Sequence, residues 1–370
     1  MKSTWEYKAL SEVCTLLTDG NWIESKDQSP EGIRLVQTGN IGIGIYKDKG
    51  DKARFISEET FKALNCTEIF EGDVLVSRLP DPIGRSCIIP NLHQRAITAV
   101  DCTILRFQPG FLNKFFVYYT LSSAYEHSLM NEITGSSRKR ISRSNLSAIS
   151  VPVPSVNEQI AIISELDSLS DIIDRKNSQL LDFDLLSLSL FHEMFGDPIL
   201  NEKGWHQRGF ESCIQKVKYT TKLQSKDFRS EGKFPIISQE EDFISGYWDN
   251  EADVFRVPSP VVIFGDHTRV LKYVDFDFVL GADGVRILLP TKDIEPLFLL
   301  YFLKASRIPS LGYSRHFKLL KEMMVSVPPI EEQKRFAQII MEIDKQKAIV
   351  RGSLSQAKLL FDSRIDYWFN

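Results

Sequence analysis

Pro154-Ser155-Val156-Asn157-Glu158-Gln159 opens a stretch that runs, without glycine or internal proline, to Phe195-Gly196-Asp197-Pro198. Apolar residues recur along it at alternating steps of three and four: Ile162, Leu166, Leu169, Ile173, then Leu180, Phe183 and Leu190. That spacing predicts the a/d seam of a coiled coil rather than the broad apolar face of a globular helix. Ser155 with Glu158 forms a capping box at the start, and Gly196 with Pro198 stops the end. Roughly 37 residues at 1.5 Å each would make a rod of about 55 Å, too long to bury itself, so it needs a partner.

The partner lies at the other end of the chain. Val327-Pro328-Pro329-Ile330-Glu331-Glu332-Gln333 repeats the opening, and the same seam follows at Phe336, Ile340, Ile343, Val350, Leu354, Ala357, Phe361 and Trp368. Shorter signals repeat in the same order. Gly135-Ser136-Ser137-Arg138 precedes the first opening and Gly312-Tyr313-Ser314-Arg315 the second, while Trp5 and Leu10 match Trp205 and Phe210 at identical spacing. The chain reads as globular unit, long helix, globular unit, long helix. Two such helices packed antiparallel would hold the globular units at opposite ends of a spacer.

Composition is that of an ordinary water-soluble protein of 370 residues, 25% charged and 43% hydrophobic, long enough for two or three domains. The first residues have no apolar signal core and no run of about 18 apolar residues occurs, so a cytoplasmic protein with no membrane partner is expected. Five cysteines without a Cys-x-x-Cys pair read as reduced, mostly buried thiols. Net charge is −4, but it is unevenly spread. Residues 155–195 hold eight acids and two bases, whereas 1–150 and 200–329 each hold 18 bases against 17 acids. A phosphate backbone would avoid the first helix and could be met by the globular units.

Short β-rich runs separated by Pro and Gly (73–77, 87–89, 102–107 in the first unit, 236–238, 261–269 and 285–289 in the second) predict irregular, mostly antiparallel sheets. Helices are expected around Leu10–Leu17, over Phe111–Asn131 and over Leu297–Lys304. Gly39, Gly42 and Gly44 lack a Walker ending and read as strand-and-turn glycines. The best phosphate-binding candidate is Ser137-Arg138-Lys139-Arg140-Ile141-Ser142-Arg143, with four cations in its last six residues and no acid. Ser314, Arg315 and Lys318 partly repeat it. Lys216, Lys218 and Lys222, interleaved with Tyr219 and two threonines, form a further backbone-and-base contact candidate.

Motifs for chemistry are missing. There is no Asn/Asp-Pro-Pro-aromatic sequence and no Gly-rich loop suited to S-adenosylmethionine or a nucleotide. Pro80-Asp81 is not completed into a nuclease carboxylate cluster, and the six histidines are scattered. Asp266-His267 has no nucleophile in an elbow motif to complete a triad.

The duplicated Pro/Glu-Gln openings at 152–159 and 328–333, with the ending Phe191-His192-Glu193-Met194-Phe195-Gly196-Asp197-Pro198, resemble the DNA-specificity (S) subunit of type I restriction-modification systems over essentially the whole chain. The resemblance implies an α+β fold with a pseudo-twofold internal repeat. Its parts would be target-recognition domains at 1–152 and 199–328, a central long helix at 153–198 and a C-terminal long helix at 329–370. It implies a non-catalytic subunit that reads a bipartite, asymmetric site in double-stranded DNA, the helices acting as a ruler between half-sites. They would also dock two methyltransferase (M) subunits, and two motor-nuclease (R) subunits would complete the restriction complex. No cofactor is expected on this chain, because S-adenosylmethionine, ATP and Mg would belong to those partners. The competing expectations are a coiled-coil adapter joining two protein-binding modules, and a stand-alone DNA enzyme with a diverged site.

Overall fold

In the computed structural model, which describes residues 5–80, 82–132, 139–281, 284–312 and 314–370, the opening stretch is a single helix, Val156–Phe195, and its counterpart is Ile330–Phe369. Each has 40 residues, about 60 Å of rise. The capping box forms: Ser155 N–H donates to Glu158 Oε2 at 2.9 Å and Glu158 N–H to Ser155 Oγ at 3.3 Å. The chain divides into two compact units, Met1–Arg175 with Leu354–Asn370, and Lys176–Ser353, so each unit owns part of each long helix.

In the first unit a ribbon of Glu6–Ala9 and Ser150–Val153 ties the two ends of the globular part together. A four-stranded antiparallel sheet follows, in the order Cys14–Asp19, Cys102–Phe107, Val74–Ser77, Ser86–Ile88. A second sheet holds Ile33–Val36 parallel to Ala96–Thr98, with Arg54–Ile56 antiparallel on the outer side of the former. The second unit repeats the plan. The ribbon is His206–Gly209 with Met324–Val327. The four-stranded sheet is Ile214–Gln215, Val285–Pro290, Val261–Gly265, Leu271–Val274. Its second sheet sets Phe234–Ile237 parallel to Phe278–Gly281 with Gly246–Trp248 on the outside. The repeat suggested by short motifs is therefore a repeat of topology.

Two expected helices differ. Leu10–Leu17 is a 3₁₀ turn, Leu10–Val13, that gives way to the strand Cys14–Asp19. Thr15 and Thr18 are β-branched, and the antiparallel ladder to Cys102–Phe107 outweighs the local helical pattern. Phe111–Asn131 breaks into Asn113–Tyr119 and Ser123–Met130. Thr120 Oγ1 donates to the Val117 carbonyl at 2.6 Å and Ser122 Oγ to that of Tyr119 at 2.7 Å, while Ser122 caps the second helix. Side-chain bonding to the backbone ends the first helix there. Leu297–Lys304 is present as Pro296–Ala305.

The Glu-Gln openings acquire a physical role. Gln159 is fully buried; its Oε1 accepts from Leu112 N–H at 2.8 Å and its Nε2 donates to the Gly110 and Pro154 carbonyls at 2.9 and 3.0 Å. Gln333, equally buried, accepts from Glu295 N–H at 2.9 Å and donates to the Asp293 and Pro328 carbonyls at 3.1 and 2.8 Å. Each glutamine spends its amide on backbone groups alone, fastening the start of a long helix to the turn before a helix of its globular part.

The seam runs into the globular cores. In the first unit Ile162, Leu166, Ile365 and Phe369 share a core with Phe115, Phe116 and Leu146. In the second, Phe191, Phe195, Phe336 and Ile340 share one with Phe298 and Leu320. The heptad spacing skips two positions on the C-terminal helix, and both hold cations. Arg364 pairs with Glu165, and Trp368 Nε1 donates to the same carboxylate at 3.1 Å. Lys347, 5% exposed, reaches Asp184 at 2.6 Å. These pairings set the helix halves antiparallel within each unit.

Candidate nucleic-acid interface

The first basic segment has a defined seat. Ile141, fully buried, donates its N–H to the Arg78 carbonyl at 3.2 Å, just beyond strand Val74–Ser77. Arg78, itself 3% exposed, returns a bond to the Ile141 carbonyl at 3.4 Å, donates to the Val100 carbonyl at 2.7 Å and pairs with Asp19 at 3.2 Å. Ser142 then caps helix Arg143–Ala148. With Ile141 plugged into the core, Lys139, Arg140 and Arg143 are left exposed around it. Arg140 lies 3.6 Å from Asp101, so part of its charge is already answered. Ser137 and Arg138 lie outside the described residues.

The turn that receives this segment is built by one arginine. Arg85 donates to five carbonyls: Nε to Ile41 at 2.8 Å, Nη1 to Leu79, Pro80 and Pro82 at 3.1, 2.7 and 2.9 Å, and Nη2 to Thr38 at 3.0 Å. It fastens loop 38–41 to the carbonyls of Leu79, Pro80 and Pro82. Beside that junction is a cleft of about 600 Å³ whose wall includes Ile43, Pro80, Pro82, Met130 and Lys139.

The second unit seats its segment at the equivalent place by different chemistry. His316 donates its N–H to the Asp266 carbonyl at 2.7 Å, just beyond strand Val261–Gly265. Its Nε2 accepts from Leu311 N–H at 2.9 Å, which puts the ring proton on Nδ1, 2.9 Å from that same carbonyl. His316 is fully buried and has no ring nitrogen left for a phosphate. Asp266 is buried too; it accepts from Phe317 N–H at 2.8 Å and from Arg286 Nε and Nη2 at 3.1 and 3.0 Å. Burial opposes its charge, but the Phe317 N–H and the Arg286 guanidinium hold its carboxyl below the usual range. Asp266 thus holds the loop through both carboxylate oxygens. Arg315 and Lys318 are exposed beside this lock, and Ser314 is half-buried.

Lys216 and Lys218 are exposed on an irregular segment after strand Ile214–Gln215. Lys222 is half-buried in the short strand Lys222–Leu223, its ammonium 5.4 Å from the Tyr219 ring centre. Tyr219 Oη accepts from Ile287 N–H at 3.1 Å, and the neighbouring Arg286 holds Asp266 and, through it, Phe317. Strand Val285–Pro290 thereby supports both basic segments of the second unit. Sequence reasoning missed Arg78, Arg85, Asp266 and Arg286 as organisers, because each has a partner 20 to 63 positions away in the chain that leaves no local signal.

No helix among the described residues is long and apolar enough to cross a membrane. The family model for the type I restriction modification DNA specificity domain matches twice, over residues 2–182 and 204–359. The putative type I restriction enzyme MjaX specificity subunit of Methanocaldococcus jannaschii is 19% identical over 95% of this chain and 89% of its own length. The EcoR124I/EcoR124II specificity subunit of Escherichia coli is 28% identical over 26% of this chain, a match that spans 24% of that relative. Among solved structures, one on complex assembly and conformational transition of the type I R-M system matches with a TM-score of 0.57 at 18% identity, covering 99% of this chain and 97% of the other. The crystal structure of the S subunit from M. genitalium matches with a TM-score of 0.55 at 16% identity, covering 99% and 96%. Twofold repetition of the fold, twofold matching of the family model and basic segments carried at equivalent places in both units lead to one conclusion: the chain belongs to the type I restriction-modification DNA specificity family, as a specificity subunit rather than a catalytic one.

Proposed function

We propose that this chain reads a bipartite, asymmetric site in double-stranded DNA, one half-site per globular unit, and docks two methyltransferase and two motor-nuclease subunits that act on the DNA. The observation that carries the reading is the duplicated scaffold with unlike loops. The same strands and the same glutamine fastening recur, while the segments that would face DNA differ in length, charge and seating. Two copies of one scaffold bearing different loops suit two different half-sites, and unequal half-sites make the whole site asymmetric.

In this reading Arg138, Lys139, Arg140 and Arg143 neutralise phosphates beside the first half-site. Arg315 and Lys318, with Lys216, Lys218 and Lys222, do so beside the second. Base reading falls to the loops around these anchors. Methyl transfer and translocation, with S-adenosylmethionine, ATP and Mg, belong to the partner subunits in the cytoplasm. Selection of bound duplexes from a random library, using the chain assembled with its methyltransferase subunits, tests this directly. Two short motifs at a fixed separation are expected. Replacing residues 200–329 by the unit of a relative should change one motif and leave the other. A single motif, or none, would remove the bipartite reading.

A further inference from the structure

A second cationic surface lies in the first unit, away from the segments considered so far. Residues 37–53 join strand Ile33–Val36 to strand Arg54–Ile56 and enclose a polar cleft of about 320 Å³ lined by Arg34, Gln37, Asn40, Lys49, Lys52 and Arg54. The loop is held from within. Asn40, 5% exposed, accepts from Gln37 N–H at 3.0 Å and donates to the Lys47 carbonyl at 2.9 Å, and Lys47 N–H returns to the Asn40 carbonyl at 2.7 Å. Asp48 accepts from Gly50 N–H at 2.9 Å and pairs with the buried Arg34. Asp48 and Arg34 therefore fix the turn that carries Lys49 and Lys52, while Lys49, Lys52 and Arg54 stay exposed. Arg54 makes one neutral contact, to Gln28 Oε1 at 3.1 Å, and Asp51 is the other acid on the loop.

The cleft is continuous with the basic segment at 139–143 through named bonds. Thr38, on its wall, is bound by Arg85, which also binds the Leu79 carbonyl. Leu79 follows Arg78, on which Ile141 sits. Arg85 thus links the loop that carries these cations to the seat of the second set. From this geometry we infer that Lys49, Lys52 and Arg54 make a second line of contacts to the phosphodiester backbone of duplex DNA, extending the footprint of the first unit beyond residues 138–143. Arg34 is a positioning residue that shapes the loop. The inference rests on the DNA-reading function proposed above and adds residues to it.

The second unit has no counterpart. Its equivalent strands, Phe234–Ile237 and Gly246–Trp248, carry no charge, and the loop 238–245 between them has Glu240, Glu241 and Asp242 and no cation. The extended footprint belongs to one half-site only.

The test uses the full chain and a fluorescein-labelled duplex of random sequence, titrated at three salt concentrations. The triple variant Lys49→Ala, Lys52→Ala, Arg54→Ala is compared with Glu240→Ala, Glu241→Ala in the second unit. Each lost phosphate contact lowers the slope of log affinity against log salt by about 0.9, so a fall of up to about 2.7 is expected for the triple variant. The acid-removal variant should not lower it. Lys49→Arg with Lys52→Arg should retain the parent slope, separating charge from loop damage. A parent that binds with a clear salt slope, and a triple variant with that same slope, would overturn the cleft alone. A parent chain that binds no DNA, either alone or assembled with its methyltransferase subunits, would overturn the proposed function and the cleft with it.

Discussion

Between Ile33–Val36 and Arg54–Ile56 the first unit places seventeen residues, 37–53, with three lysines and two aspartates; between Phe234–Ile237 and Gly246–Trp248 the second places eight, 238–245, with three acids. The short loop closes over Lys272, whose ammonium donates to the Ser238 and Asp242 carbonyls at 3.0 and 2.5 Å and whose pKa burial depresses. One loop turns its cations outward and the other folds over a buried one. The strands and the glutamine fastenings agree because they answer to the core. The loops answer to whatever lies outside, and they disagree. Two units with one architecture can therefore grip DNA with unequal strength.

The comparison meets its sharpest test in salt. Replacing Arg138, Lys139, Arg140 and Arg143 by alanine should lower the salt slope by about 3.6, weakening binding to all sequences by orders of magnitude. Replacing Arg315 and Lys318 should lower it by at most about 1.8. Equal slopes for the two variants would mean that the two basic segments neutralise the same number of phosphates.

The fastening should behave oppositely, with no difference between units. Gln159→Ala and Gln333→Ala each strand a buried N–H and two carbonyls, so each should destabilise its unit by about 2–3 kcal/mol. Urea unfolding of the two variants checks this. A gap of more than about 1 kcal/mol between them would break the equivalence of the joints.

The residue donating to each glutamine does differ. Leu112 stands in the first unit; in the second it is Glu295, whose carboxyl burial pushes up to about 7 while its Oε2 accepts from Phe298 N–H at 2.7 Å. A folded-state pKa above the unfolded value means that the native state holds its proton longer. Stability should therefore fall as pH rises from about 4.3 to 7. Thermal melts of parent and Glu295→Gln should show that decline, about 3 kcal/mol, in the parent only. Identical pH profiles would put Glu295 in a more solvated site than its bonding indicates.

The smallest effect is expected in the seam. Lys347→Met supplies an apolar side chain at a heptad position and leaves Asp184, 62% exposed, still hydrated. The change should lie within about 1 kcal/mol, since well-packed apolar replacements of buried ion pairs are often neutral or stabilising. A loss above about 3 kcal/mol would show that the pair sets helix register as well as filling space.

Much of this was legible in the residues, and the reason is periodicity. The two Glu-Gln openings, the capping box and the heptad spacing are local signals, and the seven-residue gaps from Ile343 to Val350 and from Phe361 to Trp368 even point to the positions of Lys347 and Arg364. Leu10–Leu17 was not legible, because its strand is decided by Cys102–Phe107 far along the chain. Nor was the break at Thr120–Ser122, where hydroxyl groups compete with the helix for its own carbonyls. The basic segments could be read as charge, but their seats could not. Ile141 on Arg78, His316 on Asp266 and two of the five carbonyls around Arg85 are long-range contacts.

Gln159 and Gln333 meet their globular parts only through the main chain: Gly110 and Leu112 on one side, Asp293 and Glu295 on the other. A joint that recognises no side chain is indifferent to the identity of the segment it holds. Mutation can rewrite the loops, and a foreign globular part can be imported without remaking these hydrogen bonds, provided it keeps the apolar residues that share a core with Ile162 and Leu166 or with Phe336 and Ile340. Such a joint lets inheritance separate what the protein recognises from how it is assembled, so that new specificity can arise by exchange of parts rather than by redesign.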